Sequence, residues 1–362
     1  MKVLLVAVSA RMLAELAVAD GYEVVALDWF GDVDLRAVAA GATARSSDGL
    51  AALAEEIETD AVVYGAGFEN RPDLVRRLAR GRELLGTPAE LLAAVRDPWQ
   101  AAEAARAAGA RTPETRSVLE LPQSGPAGGA WLRKPRLGGG GRGVRRWAGG
   151  RLHPTEILQR RVSGMSCSAV AIGDGQRAAM LGLTEQLHLL GGYRWTGNVA
   201  PPRLPDGEQS ELHGQLRAVC VEVAKRFGVR GAFGVDAVWD GRHAWVVEVN
   251  PRPPAGLELF APGSFEAHVR GARGHGLPGA EMRPDTRCAR VKLVLFADRD
   301  LCAPDPGWWP AGLVRDIPHG GEQIKRGAPV CTLVSGRAGV AELAERGARL
   351  LAELPEGVLA GG

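Results

Sequence analysis

Three stretches of this chain carry residue types and spacings suited to phosphate or carboxylate chemistry. The first is WLRKPRLGGGGRGVRRW, residues 131–147. Lys134 stands four residues before a run of Gly138, Gly139, Gly140 and Gly141, and Arg142 follows directly. Glycine lets backbone N–H groups come close to ligand oxygens, and a neighbouring cation adds charge-assisted hydrogen bonds. The stretch has no GxxxxGK[ST] pattern, and no GxGxxG follows the first strand, where the chain reads LVAVSARM. Alone it reads equally as a linker, an RNA-binding arginine–glycine tract or a cover over a phosphate.

The second stretch, GAFGVDAVWDGRHAWVVEVNPRPP (231–254), narrows that choice. Two strand-like runs flank Asp240-Gly241, which predicts a hairpin. Glu248 and Asn250, two apart, share a face of the second strand. A two-residue loop would put Asp236 on the opposite face, whereas a loop of three or five residues would bring it to theirs. Together, Asp236, Glu248 and Asn250 would form a hard oxygen site suited to Mg2+. Glu248 lies inside the apolar run WVVEVNP, where an unpaired charge is expensive.

The third set comprises candidate substrate contacts. Glu69 follows a strand in GAGFENRP, the place where open α/β sheets bind ligands, although it also reads as an acidic residue at a helix start near Pro72. Glu185 is polar among apolar neighbours in GLTEQL, and Trp195–Asn198 reads either as lining for the same pocket or as a strand turn. His188 and His268 read as structural histidines. Cys167, among small residues with no histidine nearby, reads as a buried strand residue rather than a nucleophile. Trp308-Trp309 reads as a packing plug.

The elements that must hold these groups follow from periodicity. Val3–Val8, Tyr22–Asp28 and Ala61–Tyr64 read as buried strands, with helices over Ala10–Ala19 and Leu50–Glu58. That alternation predicts a parallel, doubly wound sheet over residues 1–95. An alanine-rich helix, Gln100–Ala108, stops at Gly109, and 122–130 reads as a loop at a domain junction. Strands and hairpins then dominate, an α+β pattern. Residues 288–362 read as a smaller C-terminal unit with strands near 288–297 and PVCTLV and an amphipathic helix over Gly339–Leu354.

The chain has 362 residues, 46% hydrophobic and 24% charged, with a formal charge of +2. Such a balance builds a globular core and gives no general attraction to nucleic acid or anionic membrane. The five cysteines, an odd number without metal-ligand spacing, argue against a disulfide framework or a zinc site and fit a reducing compartment. No apolar run reaches the ~18 residues of a membrane span, so the expected location is the cytoplasm.

A phosphate-loop lysine followed by a magnesium hairpin resembles the ATP-grasp superfamily. VVEVNPRPP is similar to its E-x-N metal motif and KPRLGGGGRGV to its lysine strand and glycine loop. EILQRRVSG occupies the place of its adenine hinge. SARMLAELAVADGYEVVALDWFGDVD, VVYGAGFE, GMSCSAV, GLTEQL and YRWTGNVAPP resemble a carboligase-like branch, distantly related to biotin carboxylase and associated with tetrahydromethanopterin-linked one-carbon metabolism. The resemblance implies an α/β and α+β fold of three parts: a Rossmann-like domain over 1–95, an ATP-grasp domain over 96–285, and a C-terminal domain over 286–362. It implies ATP with Mg2+ or Mn2+ as cofactors. Lys134 would hold phosphates beneath Gly138–Gly141 and Arg142, and Gln159, Arg160 and Val162 would form the hinge. Ser166 stands where a ribose-binding glutamate is common. Asp236, Glu248 and Asn250 would take the metal, and Arg252 would stabilise negative charge on the reacting group. VRDPWQ stands where a D-K pair is common, so either Arg96 substitutes for that lysine or nothing does. The implied reaction joins a small carboxylate to an amine. Phosphoryl transfer without an amine, or a nucleotide-binding protein with a decayed site, are the alternatives. Dimers are common among similar proteins.

Overall fold

The computed structural model describes residues 1–120, 130–260, 262–279, 289–336 and 338–357. Cys288, the boundary expected at 285/286 and all of the expected junction loop except Ala130 lie outside them.

The N-terminal part runs β1 (Lys2–Val6), α1 (Arg11–Ala19), β2 (Glu23–Asp28), α2 (Val33–Val38), β3 (Ala40–Thr43), α3 (Ser47–Glu55), β4 (Ala61–Tyr64), α4 (Pro72–Leu78), β5 (Glu83–Leu84) and α5 (Ala89–Val95). Its strands are parallel in the order β3-β2-β1-β4-β5. Val3 to Val6 are fully buried because helices cover both faces of the sheet, which is why the strand reads as a continuous apolar run. The strand order reverses at β1 and β4. The loops leaving their carboxyl ends, at Ser9 and Gly65–Glu69, therefore open onto the crevice where such sheets bind ligands.

The middle of the chain begins with α6 (Pro98–Ala107), whose first turn is capped by Asp97 accepting from Trp99 and Gln100 N–H, each at 3.1 Å. Then come β6 (Thr115–Arg116), β7 (Trp131–Pro135), β8 (Arg145–Arg146) and β9 (Glu156–Arg160), an antiparallel sheet in the order β6-β9-β7-β8. The remaining elements are β10 (Met165–Asp174), β11 (Ala178–Leu187), β12 (Gly197–Ala200), α7 (Asp206–Phe227), β13 (Arg230–Trp239), β14 (Ala244–Asn250), α8 (Ser264–Arg273), β15 (Arg290–Phe296), β16 (Leu301–Cys302), β17 (Val314–Arg315), β18 (Gln323–Ile324), β19 (Pro329–Ser335) and α9 (Val340–Glu353). Eight of these strands form one antiparallel sheet, β14-β13-β10-β11-β12-β15-β19-β17. The C-terminal strands thus continue the central sheet, with Gly197 of β12 opposite Leu293 of β15.

Alternation along β10 splits the core between the two faces of this sheet. Cys167, Ala169 and Ala171 pack against Leu212, Leu216, Val219 and Val223 of α7. Val170 and Ile172 face the other way and share a core with Leu13 and Ala14 of α1 and Phe265 of α8. The N-terminal domain is thereby fixed against the sheet that carries the hairpin. Trp309 is buried in the C-terminal core with Trp308 edge-on at 5.1 Å, the expected packing plug. Among the described residues, no helix is long and apolar enough to cross a membrane.

His268 of α8 ties three elements together. It is fully buried; its Nδ1 accepts from Ala232 N–H at 2.8 Å, so Nε2 carries the proton and donates to the Leu85 carbonyl at 3.2 Å. Burial pushes this imidazole down from 6.5 to about 4. A base depressed in the folded state stabilises fully above its ordinary value and loses that contribution as pH falls from about 6.5 towards 4. Going from pH 7 to pH 5 should therefore cost roughly 2 kcal/mol of folding free energy through this residue. Urea unfolding at both pH values should show that loss in the wild type and a smaller one in His268→Gln; equal losses would contradict the assignment.

Candidate active site

The hairpin places the acidic residues by a route that loop counting misses. Trp239 pairs with Ala244, so the loop is Asp240–His243, four residues long. An even loop alone would turn Glu248 away from Asp236. The ladder instead shifts between Ala237↔Val246 and Asp236↔Glu248, leaving Val247 as an extra residue on β14. This bulge restores Asp236 and Glu248 to one face, and Asn250 joins them. In register across the sheet, Glu248, Asp236, Ser168 and Thr184 form one polar row.

Hydrogen bonds hold the row rigid. Asp236 accepts from Gln186 Nε2 and Asn250 Nδ2, both at 3.0 Å. Arg96 donates to Glu248 at 2.8 Å, to the Asn250 side-chain oxygen at 3.1 Å and to the Val249 carbonyl at 2.8 Å. Burial, and then the nearby Glu248 charge, push the Asp236 carboxyl up to about 6. This destabilised Asp236 carboxylate, with the Glu248 carboxylate and the Asn250 amide oxygen beside it, makes a donor set of hard oxygens that fits Mg2+. Among the described residues, no three His, Cys, Asp or Glu side chains gather elsewhere as a metal site.

The four-stranded sheet supplies the opposite wall. Lys134 on β7 donates to Gln159 Oε1 at 3.3 Å, and Gln159 donates onward to Thr115 at 3.1 Å. Burial pulls the Lys134 ammonium below its ordinary range. Where β9 leads into β10, the N–H groups of Arg160, the last residue of β9, and Arg161 are taken by the Glu114 and Ala130 carbonyls, each at 2.8 Å. Among the described residues, the backbone N–H and C=O of Val162 make no hydrogen bond, so they are available to a ligand edge.

The glycine loop is docked. Gly138 O accepts from Arg96 at 2.8 Å, and Gly140 O accepts from Trp195 N–H at 3.1 Å. Gly141 has φ +69°, and a Cβ there would lie 1.7 Å from the Tyr193 carbonyl oxygen. Only glycine fits that contact.

One cavity of about 750 Å³ connects these walls and is lined by Lys134, Gly138–Gly141, Arg142, Gln159, Arg160, Val162, Ser166, Asp236, Glu248, Asn250 and Arg252. That is ample for a nucleotide and a second small molecule. A separate depression of about 390 Å³ around Arg76, Glu90 and Arg230 holds none of this chemistry.

The two acidic substrate candidates diverge. Glu69 lines the cavity and is buried; it accepts from Gly67 N–H at 2.7 Å and from Arg252 Nε at 3.1 Å. Burial alone would raise its pKa, but the charges of Arg252 and Arg96 outweigh it and hold the carboxyl below its ordinary range. It acts as Arg252's partner rather than as a helix-start acid. Glu185 does not line the cavity. Alternation on β11 sends it to the other face, where Arg203 binds it, and brings Thr184 and Gln186 inward instead. Strand parity in GLTEQL carried that signal, but the inward set could be chosen only with the β10 register in hand. Trp195 and Asn198, from the stretch read either as pocket lining or as a strand turn, line the cavity; Asn70 and Lys292 also line it and carried no local sequence signal. His188 lines it too, with Nδ1 donating to the Arg194 carbonyl at 3.0 Å.

Residues 95–256 match the family model described as an ATP-grasp domain. The carbamoyl phosphate synthase large chain of Clostridium acetobutylicum is 23% identical over 163 residues, which is 42% of this chain and only 15% of that relative's length. Rhizobium etli pyruvate carboxylase superposes with a TM-score of 0.73 at 16% identity, over 97% of this chain and 37% of its own. N5-carboxyaminoimidazole ribonucleotide synthetase from Thermus thermophilus does so with a TM-score of 0.67 at 21% identity, over 100% of both chains. The fold is ATP-grasp: an N-terminal parallel sheet, then two antiparallel sheets that close on a shared cavity.

Arg96→Ala should free the glycine loop and leave Glu248 beside Asp236 without its cation. Losing one member of a buried ion pair costs about 3–5 kcal/mol, and the partial exposure of Glu248 places this case at or below the lower end. The expected outcome is a lower melting temperature with faster tryptic cleavage at Arg136 and Arg142. Unchanged cleavage and melting would contradict the proposed anchoring.

Proposed function

We propose that the chain is an ATP-dependent carboxylate–amine ligase. The observation that carries this reading is the single cavity in which Lys134, the docked glycine loop, Arg252 and the Asp236–Glu248–Asn250 row face one another. An adenine edge would meet the open backbone at Val162, and the phosphates would lie between Lys134 and the loop. Asp236, Glu248 and Asn250 would hold Mg2+, which when bound neutralises phosphate oxygens.

The substrate carboxylate attacks the γ-phosphorus of ATP, forming a C–O–P link as ADP leaves. The amine nitrogen then attacks the acyl carbon; phosphate departs, a proton is lost and an amide remains. Lys134 and the loop's N–H groups stabilise charge on the transferring phosphoryl group, and Arg252 stabilises the tetrahedral oxyanion. Glu69 fixes the Arg252 guanidinium through its 3.1 Å bond. The docked loop excludes water, which protects the acyl phosphate from hydrolysis. Arg96 stands where a lysine is common and reaches the loop and metal row rather than open solvent, which supports a working site over a decayed one. Likeness to the carboligase-like branch extends the proposal to amide formation in the biosynthesis of a one-carbon cofactor such as tetrahydromethanopterin.

ADP release from Mg-ATP over a panel of carboxylates, with and without amines, tests the reading. Amine-dependent release is expected. Release indifferent to amines would instead establish phosphoryl transfer. In the active mixture, Lys134→Ala and Glu248→Gln should each lower turnover by about 100-fold or more; wild-type rates in either would remove these residues from the mechanism.

A further inference from the structure

Beyond the phosphate end, the same cavity runs on to the crevice of the N-terminal sheet, where it is lined by Val8, Ser9, Met12, Phe30 and Asp32. Around this lobe lies a dense cluster of charges, of which Arg11, Lys292 and Asp316 also line the cavity. Arg11 is fully buried at the start of α1 and donates to Asp316, Glu258 and Glu15. Lys292 donates to Glu258 at 2.6 Å. Asp34 accepts the N–H groups of Asp316 and Ile317, both at 2.9 Å. Asp28 accepts from Ala10 N–H at 3.2 Å and Gly31 N–H at 2.8 Å, with Arg36 3.9 Å away. Arg315 lies 3.7 Å from Glu15.

Every carboxylate of this cluster has a partner except Asp32. It is 7% exposed, and among the described residues its side chain makes no hydrogen bond or ion pair. The four cations, Arg11, Arg36, Lys292 and Arg315, face six carboxylates: Glu15, Asp28, Asp32, Asp34, Glu258 and Asp316. The surplus is negative, and the group that expresses it opens into the cavity. A buried carboxylate left this way is costly unless something outside the chain compensates it. Burial first, and then Asp316, Asp28 and Asp34, push the Asp32 carboxyl up to about 9, so with no cation beside it the group keeps its proton at neutral pH and gives it up when a cation arrives to balance the charge.

We infer that Asp32 is the receptor for a substrate ammonium group, and that Val8, Met12 and Phe30 receive the apolar stem that carries it. One unpaired carboxylate beside apolar walls, with the neighbouring Arg11 and Lys292 already held by Asp316 and Glu258, suits a monovalent organic cation. It lacks the several oxygen ligands that a metal ion requires. In the ligase reading, on which only its role depends, this lobe holds the acceptor molecule, whose nitrogen becomes a nucleophile once the ammonium has passed a proton to Asp32.

The test is ligand-observed NMR titration with n-butylamine, using n-butanol as the uncharged isostere. The amine should bind the wild type saturably, and Asp32→Asn should weaken it at least ten-fold while n-butanol behaves alike in both proteins. Asp32→Ser serves as a second variant should the amide disturb packing. Equal amine binding by wild type and variant, or no saturable binding to the wild type, would overturn the inference. The measurement needs no turnover. A protein that binds the amine through Asp32 but never releases ADP would refute the ligase reading and leave this one standing.

Discussion

The Arg96 guanidinium is the interaction on which the site depends. It is buried where three separate parts of the chain meet, and its donors are divided among them: Asn70 of the N-terminal domain at 2.9 Å, the Glu248–Asn250 end of β14, and the Gly138 carbonyl of the loop. Arginine's planar fork can serve several acceptors in fixed directions, which a lysine ammonium on a flexible stem does less well. A buried cation with five donors must find that many acceptors, so its position dictates how these parts sit relative to one another.

The second constraint is the bulge at Val247. Without one extra residue in β14, Glu248 would point into the core packed under α7, where its charge would have no partner. With it, two carboxylates come side by side, which electrostatics alone would forbid. Arg96 relieves Glu248 directly, while Gln186 and Asn250 bond Asp236 without neutralising it. The arrangement is therefore stable but leaves an oxygen-rich place whose charge is only partly compensated, a common way for a protein to prepare a binding site in advance. Asp32 repeats that logic at the other end of the cavity with a single carboxylate.

Much of this was legible in the residues. Buried parallel strands announce themselves as short apolar runs such as KVLLV, and α1 and α9 lie within a residue or so of their expected bounds. Lys134, the glycine loop, Glu248 and Asn250 were recognisable because their chemistry is concentrated in short stretches. What escaped depended on pairing between distant strands. The hairpin's parity could not be known, since a bulge has no local signature in WVVEVNP. Glu185 and Gln186 are equally polar, and only the register of β11 against β10 decides which one faces the cavity. Arg96 stood out in VRDPWQ only as a candidate substitute for a lysine; its anchoring role was hidden because its partners lie up to 154 residues away. Asp32 in FGDVD carried no local signal, because its isolation comes from burial among residues distant in sequence.

The most direct measurement is calorimetric titration of a non-hydrolysable ATP analogue into the wild type and Glu248→Gln, each with and without Mg2+. Expected is one site per wild-type chain whose affinity rises when Mg2+ is present, with that dependence lost or strongly reduced in the variant. Absence of binding, or binding of equal strength with and without Mg2+ in both proteins, would contradict the assignment of this cavity as a metal-assisted nucleotide site.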